Sequence, residues 1–216
     1  MKPLGIVIDF DGTVTERDIG DAIVKRFGLP GWDALEGKFH AGVATIRQLW
    51  IQEISRLPGD RVAEMTAFAL ETAKVRPGLR DLLDYALKHG LPVEIASNGI
   101  EFYLNAILAA NGLKDLQYVC LKANFSPEGS SQLVIPEDIV SCARNAMCKC
   151  ARIWRMQRMA SHVLFAGDGM SDACAGPEAD ILAARSSLAR MAEAKGWAYI
   201  PFEDFWDVLA AVKKAV

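Results

Sequence analysis

Apolar residues in this chain fall into short unbroken runs, separated by stretches with helical spacing. Residues 4–8 are almost continuously apolar, the pattern of a strand covered on both faces. A stripe of Leu79, Leu82, Leu83, Ala86 and Leu87 predicts a helix, with Gly90 where it should stop. A strand over 91–96 follows. Leu104, Ile107 and Leu108 mark one face of the next helix, which Gly112 ends. Strands at 118–121 and 133–135 flank "KANFSPEGSSQ", whose Pro, Gly and Ser read as a loop or extended hairpin. Runs at 162–166 and 181–184 predict two more strands. "WAYIPF" predicts another, before a last helix from about Phe202.

Strands alternating with helices predict an α/β fold, a Rossmann-like and mainly parallel sheet covered on both faces. Residues 14–75 break that rhythm. They contain no convincing strand and several helical patterns, including Ile46, Leu49, Trp50, Ile54 and Leu57. The expected organisation is an α/β core of residues 1–13 and 76–216, with an all-helical cap of residues 14–75 inserted after the first strand.

Composition narrows the classes. With 51% hydrophobic residues among 216, there is ample material for a packed core. A net charge of -3 argues against a general nucleic-acid binder. The apolar runs near the N-terminus are too short for a membrane span, and no signal-peptide pattern develops. Cys120, Cys142, Cys148, Cys150 and Cys174 are odd in number and unevenly spread, which suggests reduced thiols in a cytoplasmic protein. Zinc is disfavoured, because no second cysteine or histidine pair has finger spacing.

In a parallel sheet, ligands gather outside the carboxyl ends of the strands. Asp9, Asp11, Gly12 and Thr13 follow the first strand, and Ser97, Asn98 and Gly99 follow the second. Gly167, Asp168, Gly169, Ser171 and Asp172 follow the strand at 162–166. Four carboxylates converging on one edge repel unless a cation sits among them. A hard, oxygen-seeking Mg2+ suits such a set, above all if a phosphate adds ligands.

"DFDGT", Ser97 in "ASNG", and "GDGMSD" occur in order at strand ends, with Lys149 in "MCKCARI" upstream of the last. This arrangement closely resembles the haloacid dehalogenase superfamily, and the position of the helical insert resembles its phosphoserine phosphatase-like branch. "SNGIEFYLNAILAANGL" is similar to that branch's segment after its second motif. The resemblance implies a Mg2+-dependent phosphatase acting on a small phosphorylated metabolite through an aspartyl phosphate.

It implies that Asp9 is the nucleophile and that Asp11 is the proton donor and later the base. Ser97 would bond a phosphoryl oxygen, with Asn98 or Gly99 assisting, and Gly12 and Thr13 would complete the phosphate loop. Lys149 would neutralise charge, with Arg152 and Arg155 as weaker candidates for its role. The metal would be held by the Asp9 and Asp168 carboxylates and the Asp11 carbonyl. Asp172 would orient Lys149 or the metal's water shell. In the cap, Arg47 and Asp18 are candidates to face substrate, although Arg47 equally suits the exposed side of an amphipathic helix.

Other classes remain open at this point. A phosphotransferase would use the same Asp11, and a phosphate-sensing scaffold would be expected to have lost Asp9. Dehalogenation needs neither the second aspartate nor Mg2+. Homodimerisation is not readable from the sequence.

Overall fold

The computed structural model describes residues 2–127, 131–137, 139–140 and 144–216. Its centre is β1 (Gly5–Ile8), every residue of which is buried. The sheet grows from β1 in both directions. On one side lie β2 (Val93–Ile100), β3 (Tyr118–Asn124) and β4 (Gln132–Val134), and on the other β5 (Val163–Gly167), β6 (Ile181–Ala184) and β7 (Ile200–Pro201). Among the described residues this makes seven strands in the order β4-β3-β2-β1-β5-β6-β7. All neighbours are parallel except β3 and β4. The chain leaves β1 for one half of the sheet and later returns to its other side at β5. β1 and its neighbours therefore mark the switch point, where parallel sheets open a crevice for ligands.

Between β1 and β2 come four helices, α1 (Ile19–Phe27), α2 (Glu36–His40), α3 (Ile46–Ile54) and α4 (Val62–Thr72), followed by α5 (Leu79–Lys88). An isolated antiparallel bridge between Thr15 and Val75 ties the two ends of the α1–α4 segment together. α3 begins with a capping box in which Thr45 and Gln48 satisfy each other's backbone N–H groups. Its apolar stripe divides along its length. Ile54 and, just beyond the helix, Leu57 enter the core, while Ile46, Leu49 and Trp50 stay half-buried.

The remaining helices are α6 (Glu101–Ala110), α7 (Lys149–Gln157), α8 (Ser186–Lys195) and α9 (Phe205–Ala215). Two details depart from the sequence reading. Leu87, placed on the apolar stripe of α5, is 83% exposed, since the buried face of that helix is Leu79, Leu82 and Ala86. α9 starts at Phe205 rather than Phe202, because Asp204 caps it by accepting from the N–H groups of Trp206 and Asp207. Among the described cysteines, Cys120, Cys148, Cys150 and Cys174 are free thiols, and Cys142 lies outside the described residues. No described helix is long and apolar enough to cross a membrane.

Candidate active site

Where β1 ends, Asp9 keeps extended backbone, and its N–H donates to the Ala166 carbonyl at 2.9 Å. The chain then turns sharply. Gly12 has φ of +79°, which side chains with a Cβ rarely adopt, and a Cβ there would run into the Asp168 carboxylate. Two guanidinium groups fix this turn from outside. Arg76 and Arg185 each donate to the Gly12 carbonyl at 3.0 Å, and Arg76 also donates to the Thr13 carbonyl. Neither arginine was legible as part of the site, because nothing local in "KVRPG" or "AARSS" announces a distant carbonyl.

Lys149 opens α7 and is completely buried. Its ammonium donates to Asp9 Oδ1 and to Asp172 Oδ1. Burial alone would lower its pKa. The charges and hydrogen bonds of Asp172 and Asp9 reverse that and hold it above the ordinary lysine range. The other oxygen of Asp172 accepts from the N–H groups of Asp168 and Gly169, both at 3.0 Å. Both Asp172 oxygens are thus engaged within the protein. Arg152 is committed elsewhere, in an ion pair with Glu94.

Asp11 stands apart from this ionic group. Its Oδ1 accepts from the Ile19 N–H at 3.0 Å, and its Oδ2 accepts from the Tyr103 hydroxyl at 2.6 Å. Burial first, and then the charge of Asp18, push its pKa well above the usual carboxylate value, against the opposing pull of the Tyr103 bond. Tyr103 lies in the first turn of α6 and is wholly buried. The sequence reading missed it, since an aromatic residue in an apolar helix looks like ordinary core.

β2 carries the next elements past its apolar run, as far as Ile100. Ser97 Oγ accepts from the Gly99 N–H at 2.8 Å. Asn98 Oδ1 accepts from the Met147 N–H at 2.8 Å, which braces the segment leading into Lys149. A side chain at Gly99 would collide with the Tyr103 hydroxyl and the Asp11 carboxylate.

These strand ends form the floor of a cavity of about 270 Å³, lined by Asp9, Asp11, Ser97, Asn98, Gly99 and Asp168. α1 and α3 supply much of the opposite wall, through Asp18, Asp21, Ile46, Leu49, Trp50 and Glu53. Three residues expected to meet the phosphate or the substrate are not among those lining this cavity. Arg47 does not line the cavity. Positions 46, 49, 50 and 53 share one helical face, and Arg47 lies about 100° around the helix from Ile46. Gly12 and Thr13 do not line it either. The Gly12 N–H donates to the Arg17 carbonyl at 3.1 Å, and Thr13 is fully buried with its hydroxyl toward Asp168. Their part is to shape the turn.

The donor set suits a hard divalent cation. Asp9, Asp168 and Asp172 can each bring an oxygen within 4.8 Å of the others. Burial first, then Asp172, pushes the Asp9 carboxyl up to about 7, while burial with Asp9 and Asp172 pushes Asp168 up to about 8. Such crowding is relieved by positive charge among the oxygens, and all-oxygen donors match Mg2+ rather than a softer ion. Because Asp172 is already saturated by Lys149 and two amides, Asp9 and Asp168 are the carboxylates left to face a metal.

Residues 6–176 match the family profile of haloacid dehalogenase-like hydrolases, and the chain belongs to that family. The chain is 29% identical over 216 residues to a 2-hydroxy-3-keto-5-methylthiopentenyl-1-phosphate phosphatase of Geobacillus kaustophilus, covering 99% of this chain and 97% of that protein. A Brevibacillus brevis protein of the same name is 30% identical, with 99% and 96% covered. Among solved structures, a phospho-aspartyl intermediate analogue of phosphoserine phosphatase superposes with a TM-score of 0.69 at 15% identity, covering 97% of this chain and 98% of that one. Phosphoserine phosphatase from T. onnurineus superposes with a TM-score of 0.69 at 19% identity, covering 99% and 95%. Within its family the chain falls in the class of phosphomonoester hydrolases.

Proposed function

We propose that the chain is a Mg2+-dependent phosphatase that works through an aspartyl phosphate on Asp9. The observation that carries this reading is the separation of the two N-terminal aspartates. Asp9 is held in an ionic group with Lys149, while Asp11 is withdrawn from it by Tyr103 and the Ile19 N–H. Two carboxylates two residues apart are thereby given different surroundings, Asp9 beside the Lys149 ammonium and Asp11 in a buried site away from it whose burial favours the protonated form, as a nucleophile and a general acid require.

Asp9 attacks phosphorus, and the bond from phosphorus to the leaving oxygen breaks as the new one forms. Asp11, kept protonated by its surroundings, gives its proton to the leaving oxygen. In the second step Asp11, now a carboxylate, takes a proton from water as that water attacks phosphorus, releasing inorganic phosphate and restoring Asp9. Lys149 balances charge on Asp9 and the phosphoryl group. Ser97 and the backbone at Gly99 orient the phosphoryl oxygens. Asp172 acts on Lys149 as a positioning residue. Mg2+ would be held by the Asp9 and Asp168 carboxylates and the Asp11 carbonyl, and it supplies charge neutralisation when bound.

We assign the α1–α4 segment, residues 14–75 with the Thr15–Val75 bridge at its neck, as the cap that covers the leaving group. For the substrate we take the enol phosphate named in the curated relatives, since their similarity spans nearly the whole chain. The half-buried apolar wall of Ile46, Leu49 and Trp50 gives a thioether tail a surface to pack on. The test is phosphate release with Mg2+ from this enol phosphate, phosphoserine and p-nitrophenyl phosphate, together with acid-quench capture of labelled protein. Label that survives in Asp9→Asn would defeat the nucleophile assignment. Phosphate release that requires an added alcohol acceptor would favour a phosphotransferase.

A further inference from the structure

Residues 145–148 run through the interior with no regular structure, and all of them are buried. Buried backbone outside a helix or ladder must find its partners elsewhere. The side chain of Asn98 supplies both partners for Met147. Its Oδ1 accepts from the Met147 N–H at 2.8 Å, and its Nδ2 donates to the Met147 carbonyl at 3.4 Å. One side-chain amide thus pairs with a residue's backbone as a neighbouring strand would. The Cys148 N–H donates to the Val140 carbonyl at 2.8 Å. On the other flank, Asn145 Nδ2 donates at 3.1 Å to the carbonyl of Ser171, the residue before Asp172.

This segment delivers Lys149. The lysine is the first residue of α7, and its ammonium has to meet Asp9 and Asp172 together. Cys148, at the N-cap of α7, gives the helix no side-chain hydrogen bond, so the cap does not fix where the first turn starts. The grip of Asn98 on Met147 does so from outside, two residues before the lysine. Asn98 is itself buried in β2, directly after Ser97. A single residue therefore sets the Lys149 ammonium relative to the Ser97 hydroxyl.

We infer that Asn98 is a positioning residue that sets Lys149 through Met147, and is not a ligand of the phosphate. This rests on the phosphatase reading above. An amide that holds a residue's backbone by both its oxygen and its nitrogen has its orientation fixed by that backbone. Its effect is felt where the backbone leads, which is the start of α7. Asn98 then matters to the reaction only while there is a lysine at 149 to place.

The test is a double-mutant cycle on full-length protein with Mg2+ and p-nitrophenyl phosphate, using Asn98→Ala, Lys149→Met and the two together. Asn98→Ala should lower kcat/KM by about tenfold or more when Lys149 is present, and by less than about twofold when it is already gone. A residue that touched phosphate would cost the same factor in both backgrounds, as would one whose loss merely unfolded part of the protein. Where Lys149→Met turns over too slowly, the same cycle is read from the affinity for inorganic phosphate by calorimetry, which needs no turnover. Asn98→Ser replaces Asn98→Ala if the alanine variant does not fold. Equal factors in the two backgrounds, or wild-type activity in Asn98→Ala, would overturn the assignment. Wild-type protein that fails on p-nitrophenyl phosphate would defeat the phosphatase reading itself. Equal factors in protein that hydrolyses that ester would defeat only the role of Asn98.

Discussion

The floor and the upper wall of the cavity are built on opposite plans. The floor draws side chains from the ends of β1, β2 and β5 and from α7, whose sequence positions lie as far apart as Asp9 and Asp172, and Lys149, Asp172 and Asp11 all find partners inside the protein. The wall comes from α1 and α3, its apolar side chains are half-buried, and the Glu53 side chain has no hydrogen bond or ion pair to another described residue. A network in which each group holds several others gives a geometry fixed before substrate arrives, which is what electrostatic stabilisation of a phosphoryl transition state demands. A surface with few mutual bonds can change its side chains at little cost to the fold.

Changes to the floor should therefore be severe and changes to the wall selective. Asp9→Asn should reduce kcat on p-nitrophenyl phosphate by about 10⁴-fold or more with the fold retained by circular dichroism. Residual turnover near the wild-type value would show that the floor does not act through Asp9. Lys149→Met keeps the volume and strands two buried carboxylates. It should cost about 3–5 kcal/mol in urea unfolding as well as most activity. A variant as stable as the wild type would show that the ionic group is not what holds the floor together.

Metal and pH form the next test, with a definite sign. Asp9 and Asp168 have carboxyls raised in the folded state from 3.8 to about 7 and about 8. The native state then binds protons more tightly than the unfolded chain, so stability is greatest below the unfolded value and falls as pH rises toward about 8. Metal-free protein should lose melting temperature between pH 5 and pH 8, and Mg2+ should restore more at pH 8 than at pH 5. A flat profile would contradict the crowding of the carboxylates. Tyr103→Phe is the mildest of the floor changes. Removing its bond to Asp11 raises the Asp11 pKa further, so kcat should fall about tenfold and the pH profile should move to higher pH. An unmoved profile would reduce Tyr103 to packing.

Much of the floor was legible in the sequence, because buried parallel strands announce themselves as apolar runs and their ends can then be inspected. The strand at 181–184 lay where the run placed it, the convergence of Asp9, Ser97, Asp168 and Asp172 was read from strand ends, and Lys149, which opens a helix, was expected only from the family resemblance. β2 was cut short, since Ser97, Asn98 and Gly99 break the apolar run while keeping extended backbone. Tyr103, Arg76 and Arg185 were invisible for a common reason. Each acts on a group far off in the chain, and local pattern carries no trace of that partner. The wall was the least legible region. α3 uses one apolar face for two purposes, core at Ile54 and cavity at Trp50, and spacing cannot tell them apart. The same ambiguity made Arg47 a candidate, where the helix turns Glu53 inward instead.

The turn at Gly12 also has a consequence for how the protein is made. Asp9 leaves the ribosome well before Lys149, Asp172 and Arg185, which hold it and its turn. A nascent chain that has already formed β1 and the helical segment still lacks the ammonium beside Asp9 and one of the two guanidinium groups on the turn. The ionic group beside Asp9 and the clamp on the Gly12 turn are thus completed only once the stretch through Arg185 has been made, so β1 folds before the contacts that fix its exit.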